Sequence, residues 1–203
     1  MMKDIYIIRH GETEYNKMHR MQGRGIDASL NKEGRSQAEA ICNFMKDKAI
    51  TKIVTSSLKR AIETANPLSE ELKIKLETFK DLDEMNFGVL EGKPFKDVIE
   101  DLKYLQTQWS SGNLQIAPEA GENPIEVFDR AGSKIMNVIE TSKDQQIIFM
   151  IHGRLIRILL SEFLGLGLKN MHEIEHQNGS INHLSWNGNQ FEVVELNIIT
   201  HLG

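Results

Sequence analysis

Two short apolar runs, each followed by a histidine and a glycine, constrain this fold more than any other feature. Residues 5–8 lead into Arg-His-Gly at 9–11, and residues 146–151 lead into His-Gly at 152–153. Near-continuous apolar runs of this length predict strands that are buried on both faces. Open α/β sheets contain such strands and bind ligands just beyond their carboxyl ends. The sequence therefore predicts a binding site that includes both histidines.

The rest of the chain alternates between helical and strand patterns. Helices are predicted at 32–48, 58–72, 94–109, 123–141 and 154–164, and further strands at 52–55, 74–77, 181–186 and 190–198. The last two strands flank Asn-Gly-Asn, which is a hairpin signal. We therefore expect one domain over residues 1–203, a three-layer α/β/α architecture with a mainly parallel sheet and an antiparallel edge.

Several local features carry separate expectations. Ser56-Ser57 is predicted to cap the 58–72 helix, and Pro67 is predicted to kink or break it. The almost wholly apolar 154–164 helix is expected to be buried. Residues 17–31 are predicted to form a loop, and residues 110–121, with a proline and two glycines, are the most lid-like segment.

The composition excludes several classes of protein. A net charge of −5, from 24 basic and 29 acidic residues, argues against a nucleic-acid partner. No apolar run is long enough to predict a membrane span, and no signal peptide is recognised. The single cysteine, Cys42, is compatible with a reducing compartment. We therefore expect a cytoplasmic protein without a membrane or nucleic-acid partner.

The charged residues near the strand ends suit a phosphoryl group. Arg9 follows the first strand and Arg60 lies in the first turn of a helix, where backbone N–H groups add positive potential. A neutral His10 beside Arg9 could act as a nucleophile, and His152 could donate a hydrogen bond from its protonated ring. Either histidine could equally be structural. The acid that would protonate a leaving group stays unranked among Asp81, Asp83, Glu84, Glu91, Glu12 and Glu14.

Four stretches resemble the motifs of the histidine phosphatase (phosphoglycerate-mutase-like) family, in the same order. They are Arg9-His10-Gly11-Glu12-Thr13 with Asn16, the turn and helix from Ser56 to Ala65, the loop from Leu82 to Gly92, and His152-Gly153. The resemblance implies a phosphoglycerate-mutase-like fold. It implies that His10 is the nucleophile and Glu84, with a raised pKa, the proton donor. It further implies phosphate binding by Arg9, Arg60 and His152, and substrate binding by Asn16, Gln22 and Gly23.

This sequence departs from the family pattern at three positions. Ser57 stands where proline is frequent, and Leu90 stands where an aromatic residue is usual. Arg154 replaces the usual second glycine after His152. The arginine could add positive charge at the pocket rim or cover the end of the following helix, and both readings stay open.

The resemblance implies a metal-independent phosphatase that hydrolyses a small phosphorylated metabolite through a phosphohistidine on His10. A cofactor-dependent phosphoglycerate mutase is an alternative, although the compact interval before His152 favours the phosphatase. A non-catalytic protein that binds a phosphorylated ligand is a second alternative. No metal or other cofactor is expected; His172 and His176 lie four residues apart but lack further ligands nearby in the sequence. The substrate and the oligomeric state stay open.

Overall fold

The computed structural model describes residues 2–203 and is organised around a six-stranded sheet. The strands are β1 Lys3–Arg9, β2 Lys52–Ser56, β3 Leu76–Phe79, β4 Gln146–Ile151, β5 Ile181–Trp186 and β6 Phe191–Ile198. The α-helices are α1 Glu14–Lys17, α2 Lys32–Met45, α3 Lys59–Leu72, α4 Phe95–Ser110, α5 Pro124–Thr141 and α6 Gly153–Phe163. Short 3-10 helices cover Lys80–Leu82, Gly88–Leu90 and Leu168–Glu173.

The sheet is mixed, with the strand order β3-β2-β4-β1-β5-β6. Strands β1 to β4 pair in parallel, whereas β5 and β6 pair antiparallel at one edge. The predicted mainly parallel sheet with an antiparallel edge is therefore confirmed. At the hairpin between β5 and β6, the N–H of Asn187 donates to the carbonyl of Gln190 at 3.3 Å, and Gly188 takes a φ of +100°.

Helices cover both faces of this sheet and explain the apolar runs of its central strands. On one face Ile5 and Ile7 join a core that includes buried residues of α4, α5 and α6. On the other face Tyr6 and Ile8 pack with buried residues of α2 and α3. Because a strand between two helical layers has no solvated side, alternate residues cannot be polar. The predicted three layers follow from this arrangement.

The start of α3 differs from the prediction. The N-cap residue is Leu58, which offers no side-chain cap, so the predicted Ser56-Ser57 cap is wrong. The Ser56 Oγ accepts a bond from the N–H of Leu58 at 3.1 Å, but both serine hydroxyls donate to the carboxylate of Asp83. A charged acceptor competes successfully for hydroxyl groups because charge-assisted hydrogen bonds are stronger than neutral ones.

Of the predicted kink or break at Pro67, the break does not occur, because helix α3 continues through this residue. A proline inside a helix removes one N–H donor and crowds the preceding turn. Here Ala61, Ala65 and Leu68 are fully buried on the face of α3 that meets the sheet. Tertiary packing on both sides of Pro67 therefore holds the helical path, as it commonly does against a local preference.

Two further predictions concern α6 and the membrane. Most of α6 is buried, as expected, but Arg154 and Arg157 reach partly exposed positions beside a cleft.

No helix within residues 2–203 is long and apolar enough to cross a membrane.

Candidate active site

The two strand-end histidines come together because β1 and β4 are parallel neighbours. Arg9 pairs in register with Ile151, so the residues that follow each strand leave the sheet side by side. The rings of His10 and His152 have their centroids 5.2 Å apart, with an interplanar angle of 56°. Both side chains are buried. The sheet register thus produces the predicted proximity of the two imidazoles.

The ring of His10 is neutral and its tautomer is fixed. Its Nδ1 lies 2.7 Å from the carbonyl oxygen of Gly11, which can only accept, so Nδ1 carries the proton. The Nε2 lone pair is then unprotonated. Burial holds the pKa of His10 well below its usual value, and the neighbouring charges of Arg60 and Arg9 lower the pKa further. The predicted effect of Arg9 is present, but burial contributes more.

The ring of His152 is also neutral in this structure, and its protonation when it donates to a phosphoryl oxygen stays a prediction. The Nε of Arg60 donates to His152 Nδ1 at 3.2 Å, so the proton lies on Nε2, which donates to Ser56 Oγ at 2.7 Å. Ser56 donates in turn to Asp83 Oδ1 at 2.8 Å. Burial holds the pKa of His152 well below its usual value, and Arg60 lowers it further. In this arrangement, His152 has no N–H directed at a ligand, and donation would require a proton on Nδ1.

Arg60 is fully buried and Arg9 lies beside it at the strand end. The guanidinium of Arg60 donates to the carbonyls of Ile26 at 2.6 Å and Gly23 at 3.2 Å. The Nε of Arg9 is buried without a hydrogen-bond partner. Burial lowers the pKa of both guanidiniums to about 10, so both are charged at neutral pH. The pair therefore supplies fixed positive charge, and Arg9 retains a free donor.

Glu84 lies at the N-terminus of α6, where its buried carboxylate replaces a missing N-cap side chain. Its oxygens accept backbone N–H bonds from Met85 at 2.9 Å, Arg154 at 3.0 Å and Leu155 at 2.9 Å. These contacts occupy both carboxylate oxygens and fix the orientation of the side chain. The proton-donor role that the family resemblance implies for Glu84 stays a prediction.

The three predicted substrate-binding residues differ in position. Asn16 and Gln22 line a cleft, where the Nε2 of Gln22 is buried without a partner and its Oε1 accepts from Thr13 Oγ1 at 2.8 Å. Gly23 does not line this cleft and contributes through its carbonyl bond to Arg60. A Cβ at Gly23 would lie 2.1 Å from Glu91 Oε1, so a side chain would displace the loop.

The cleft has a volume of about 210 Å³ and opens next to the histidines. Arg9 and Glu84 line it, whereas His10, His152 and Arg60 do not. Its remaining lining residues are Arg20, Met21, Phe87, Phe95, Leu102, Gly153, Arg154, Arg157 and His176. The 17–31 loop thus contributes to the cleft, whereas the lid-like 110–121 segment contributes no lining residue. The 110–121 segment packs instead on residues 82–92, here called the acid loop, where the backbone carbonyl of Glu119 accepts the N–H of Val89 at 3.0 Å.

Sequence reasoning missed several residues that organise this site. Arg130 donates to the carbonyls of Asp81, Asp83 and Glu84 at 2.7, 2.8 and 3.1 Å and so holds the acid loop. Thr64 accepts the N–H of Gly11 at 3.0 Å. Thr64 belongs to a recognised motif and could have been flagged, whereas no local pattern distinguishes Arg130 from a surface arginine.

His176 was considered only as one member of a metal-binding pair. Its Nδ1 lies 3.1 Å from an Nη of Arg9, and its Nε2 accepts from the Nε of Arg157 at 3.0 Å. Burial first, and then Arg9 and Arg157, lower the pKa of His176 to about 2. Two flanking guanidiniums would repel a metal cation, so the surroundings of His176 favour anions.

The fold and the site together define an α/β protein that concentrates arginine and neutral histidine at the carboxyl ends of its central strands. The model of the histidine phosphatase superfamily (branch 1) matches residues 5–199, so the chain belongs to that superfamily.

Individual relatives carry both phosphatase and mutase names. A Hydrogenobacter thermophilus protein provisionally named phosphoserine phosphatase 2 is 29% identical over 200 residues, covering 98% of each chain. Phosphoglycerate mutase-like protein 4 of Arabidopsis thaliana is 30% identical over 77% of this chain and 69% of its own. The structure of a mycobacterial glucosyl-3-phosphoglycerate phosphatase in complex with VO3 is similar, with a TM-score of 0.87, 26% identity, and coverage of 96% and 98%.

Proposed function

We propose that this protein is a metal-independent phosphatase that hydrolyses a small phosphate monoester through a phosphohistidine on His10. The observation that carries the proposal is the fixed tautomer of His10, because a proton on Nδ1 leaves the Nε2 lone pair as the nucleophile. Its lowered pKa keeps the ring unprotonated at neutral pH. The charged guanidiniums of Arg9 and Arg60 are placed to stabilise the phosphoryl oxygens.

In the first half-reaction, Nε2 of His10 attacks phosphorus and the ester P–O bond breaks. The leaving alkoxide takes a proton from Glu84. This step requires that Glu84, which lines the cleft, carries a proton when the ester is bound. Donation by His152 to a phosphoryl oxygen would require a proton on Nδ1 and the release of that nitrogen from the Nε of Arg60.

In the second half-reaction, the Glu84 carboxylate takes a proton from water while the water oxygen attacks phosphorus. The P–N bond to His10 breaks, inorganic phosphate leaves and the neutral ring is restored. The three N–H donors hold the Glu84 carboxylate in a fixed position for this base role.

The direct test is to trap the intermediate with an aryl phosphate labelled in its phosphoryl group, in the presence of chelator. We expect a label that is stable to base, is released by acid and maps to His10. His10→Ala should lose both the label and turnover by at least a thousandfold, whereas the exposed His19→Asn control should retain both. Full activity of His10→Ala would overturn the proposal.

The mutase alternative has support in the names of some relatives. Both activities share the first half-reaction and differ in the acceptor of the phosphoryl group. We expect release of inorganic phosphate from a phosphate ester without interconversion of 2- and 3-phosphoglycerate. Interconversion faster than phosphate release would favour the mutase. Binding of phosphate esters without turnover at any pH from acid to neutral would favour a non-catalytic protein.

A further inference from the structure

The cleft next to the histidines contains more positive charge than one phosphoryl group requires. Arg9, Arg20, Arg154 and Arg157 line it, and the only carboxylate in its lining is that of Glu84. The whole chain has a net charge of −5, so this excess of arginine is local. A phosphoryl dianion is already served by Arg9 together with Arg60, which lies outside the lining.

The guanidinium of Arg154 is the least satisfied of these groups. Within residues 2–203 it makes neither a hydrogen bond nor an ion pair, and it lies over the ring of Trp109 with Cζ 5.5 Å from the centroid. Burial, and then the charge of Arg157, lowers the pKa of Arg154 to about 10, which leaves it charged at neutral pH. The carboxylate of Glu84 is occupied by backbone N–H groups. Arg154 is partly exposed and its guanidinium N–H groups have no partner in the described part of the protein, so these donors are free to bind an anionic ligand in the cleft.

The same conclusion follows from His176, which lies between Arg9 and Arg157. A neutral imidazole accepts only one hydrogen bond at its ring nitrogens. The Nε of Arg157 lies 3.0 Å from Nε2 and an Nη of Arg9 lies 3.1 Å from Nδ1, so the neutral ring can accept from only one of the two arginines. Neither Nη group of Arg157 has a partner within residues 2–203. Both arginines thus keep N–H donors that an anionic ligand could satisfy.

We propose that Arg154 and Arg157 form a second anion subsite, so that the substrate is a phosphate monoester whose alcohol portion carries another anionic group. This inference rests on the proposed function, which places the phosphoryl group at His10. Carboxylate and phosphate both match the guanidinium fork. A cleft of about 210 Å³ favours a small molecule, since ligand pockets are typically about 300–1,000 Å³.

The experiment compares esters that differ only in the second anion, at one fixed ionic strength. The carboxylate pair is 3-phosphoglycerate and glycerol 3-phosphate, and the second-phosphate pair is propane-1,3-diol bisphosphate and propyl phosphate. We expect kcat/KM to favour the doubly anionic member of at least one pair by tenfold or more. The pair with the larger ratio identifies the second anion as carboxylate or phosphate. Ratios near one for both pairs would overturn the subsite while leaving the phosphatase proposal intact.

Substitutions then assign this preference to the arginines. Arg154→Gln keeps the backbone N–H that Glu84 accepts and should lower the ratio by roughly 10- to 100-fold, the loss expected for one charged hydrogen bond. Arg157→Gln should act in the same direction, and Arg154→Lys should recover part of the ratio. Arg35→Gln, on the exposed side of α2, is the matched control and should keep the parent ratio. An unchanged ratio in both Arg154→Gln and Arg157→Gln would overturn the assignment.

A calorimetric measurement separates failure of the subsite from failure of the proposed function. If no ester is hydrolysed, the proposed function is wrong, but the affinities of 3-phosphoglycerate and glycerol 3-phosphate can still be compared. A Kd at least tenfold lower for 3-phosphoglycerate, lost in Arg154→Gln, would support the subsite. Equal Kd values for both members of each pair would refute it.

Discussion

Three neutral histidines, the buried His10 and His152 and the half-buried His176, should make this protein lose stability as the pH falls through the range from 7.5 to 5.5. The pKa values of His10 and His152 are held well below 6.5, and the pKa of His176 is lowered to about 2, by burial first in each case. In the unfolded chain the same rings have a pKa of about 6.5. Below that pH the unfolded state binds protons that the folded state does not, so acid favours unfolding.

The magnitude follows from this difference in proton binding. For one ring that stays neutral when folded, the linkage integral between pH 7.5 and 5.5 is RT ln 10, or about 1.4 kcal/mol. Three rings give about 4 kcal/mol, a large fraction of a typical stability of about 5–15 kcal/mol. Burial also lowers the pKa of His201, which adds to the loss, and raises the pKa of Glu91, which offsets part of it.

The assay is urea unfolding at pH 7.5 and 5.5 in phosphate-free buffers of equal ionic strength, since a bound anion would stabilise the folded state. We expect the free energy of unfolding to be about 4 kcal/mol lower at pH 5.5. His152→Asn should reduce this pH difference by about 1.4 kcal/mol whatever its effect at either pH, whereas the exposed His19→Asn should not. Equal stability at both pH values would refute the reasoning, because the three rings would then titrate alike in the folded and unfolded states.

Three further substitutions test individual contacts. Glu84→Gln should slow alkyl phosphates at least tenfold more than aryl phosphates, whose leaving groups need less protonation, and equal losses on both would remove Glu84 from the acid role. Asp83→Asn weakens the acceptor of Ser56 and Ser57, so urea unfolding should show a loss of about 2–3 kcal/mol, and an unchanged midpoint would contradict this account. Gly23→Ala places a Cβ 2.1 Å from Glu91 Oε1 and should cost about 1–3 kcal/mol by the same assay, and unaltered stability would show that the loop accommodates the methyl group.

The fold was largely predictable because its main constraint is local. A strand covered on both faces must be apolar at every position, and the runs at 5–8 and 147–151 show this without any tertiary information. The predictions that failed concern competition between local and distant partners. Serine is a preferred helix N-cap residue, but Asp83, 26 residues or more away in sequence, accepts hydrogen bonds from both hydroxyls of Ser56-Ser57. Proline at position 67 favours a helix break, but the buried residues around it keep α3 continuous.

The candidate site divides in the same way. Residues that directly follow central strands, such as His10 and His152, could be placed because the sheet fixes where strands end. The sequence could not show that Glu84 would accept N–H bonds from α6, 70 and 71 residues away. Nor could it show that His176 would contact Arg9, 167 residues away, since no sequence pattern places the segment around His176 relative to β1. The sequence also could not show that Arg60 and Ser56 lie at the two ring nitrogens of His152.

Two adjacent acidic residues of the acid loop, Asp83 and Glu84, each bind a different strand-to-helix turn of the fold. Asp83 binds the turn between β2 and α3, and Glu84 binds the first turn of α6 after β4. One peptide unit thus sets the spacing between the helix that carries Arg60 and the helix that carries Arg154. An insertion between these two acids would separate both halves of the site, whereas length changes beyond residue 92 would leave their spacing intact. Variation in substrate range among related chains is therefore expected downstream of this dipeptide.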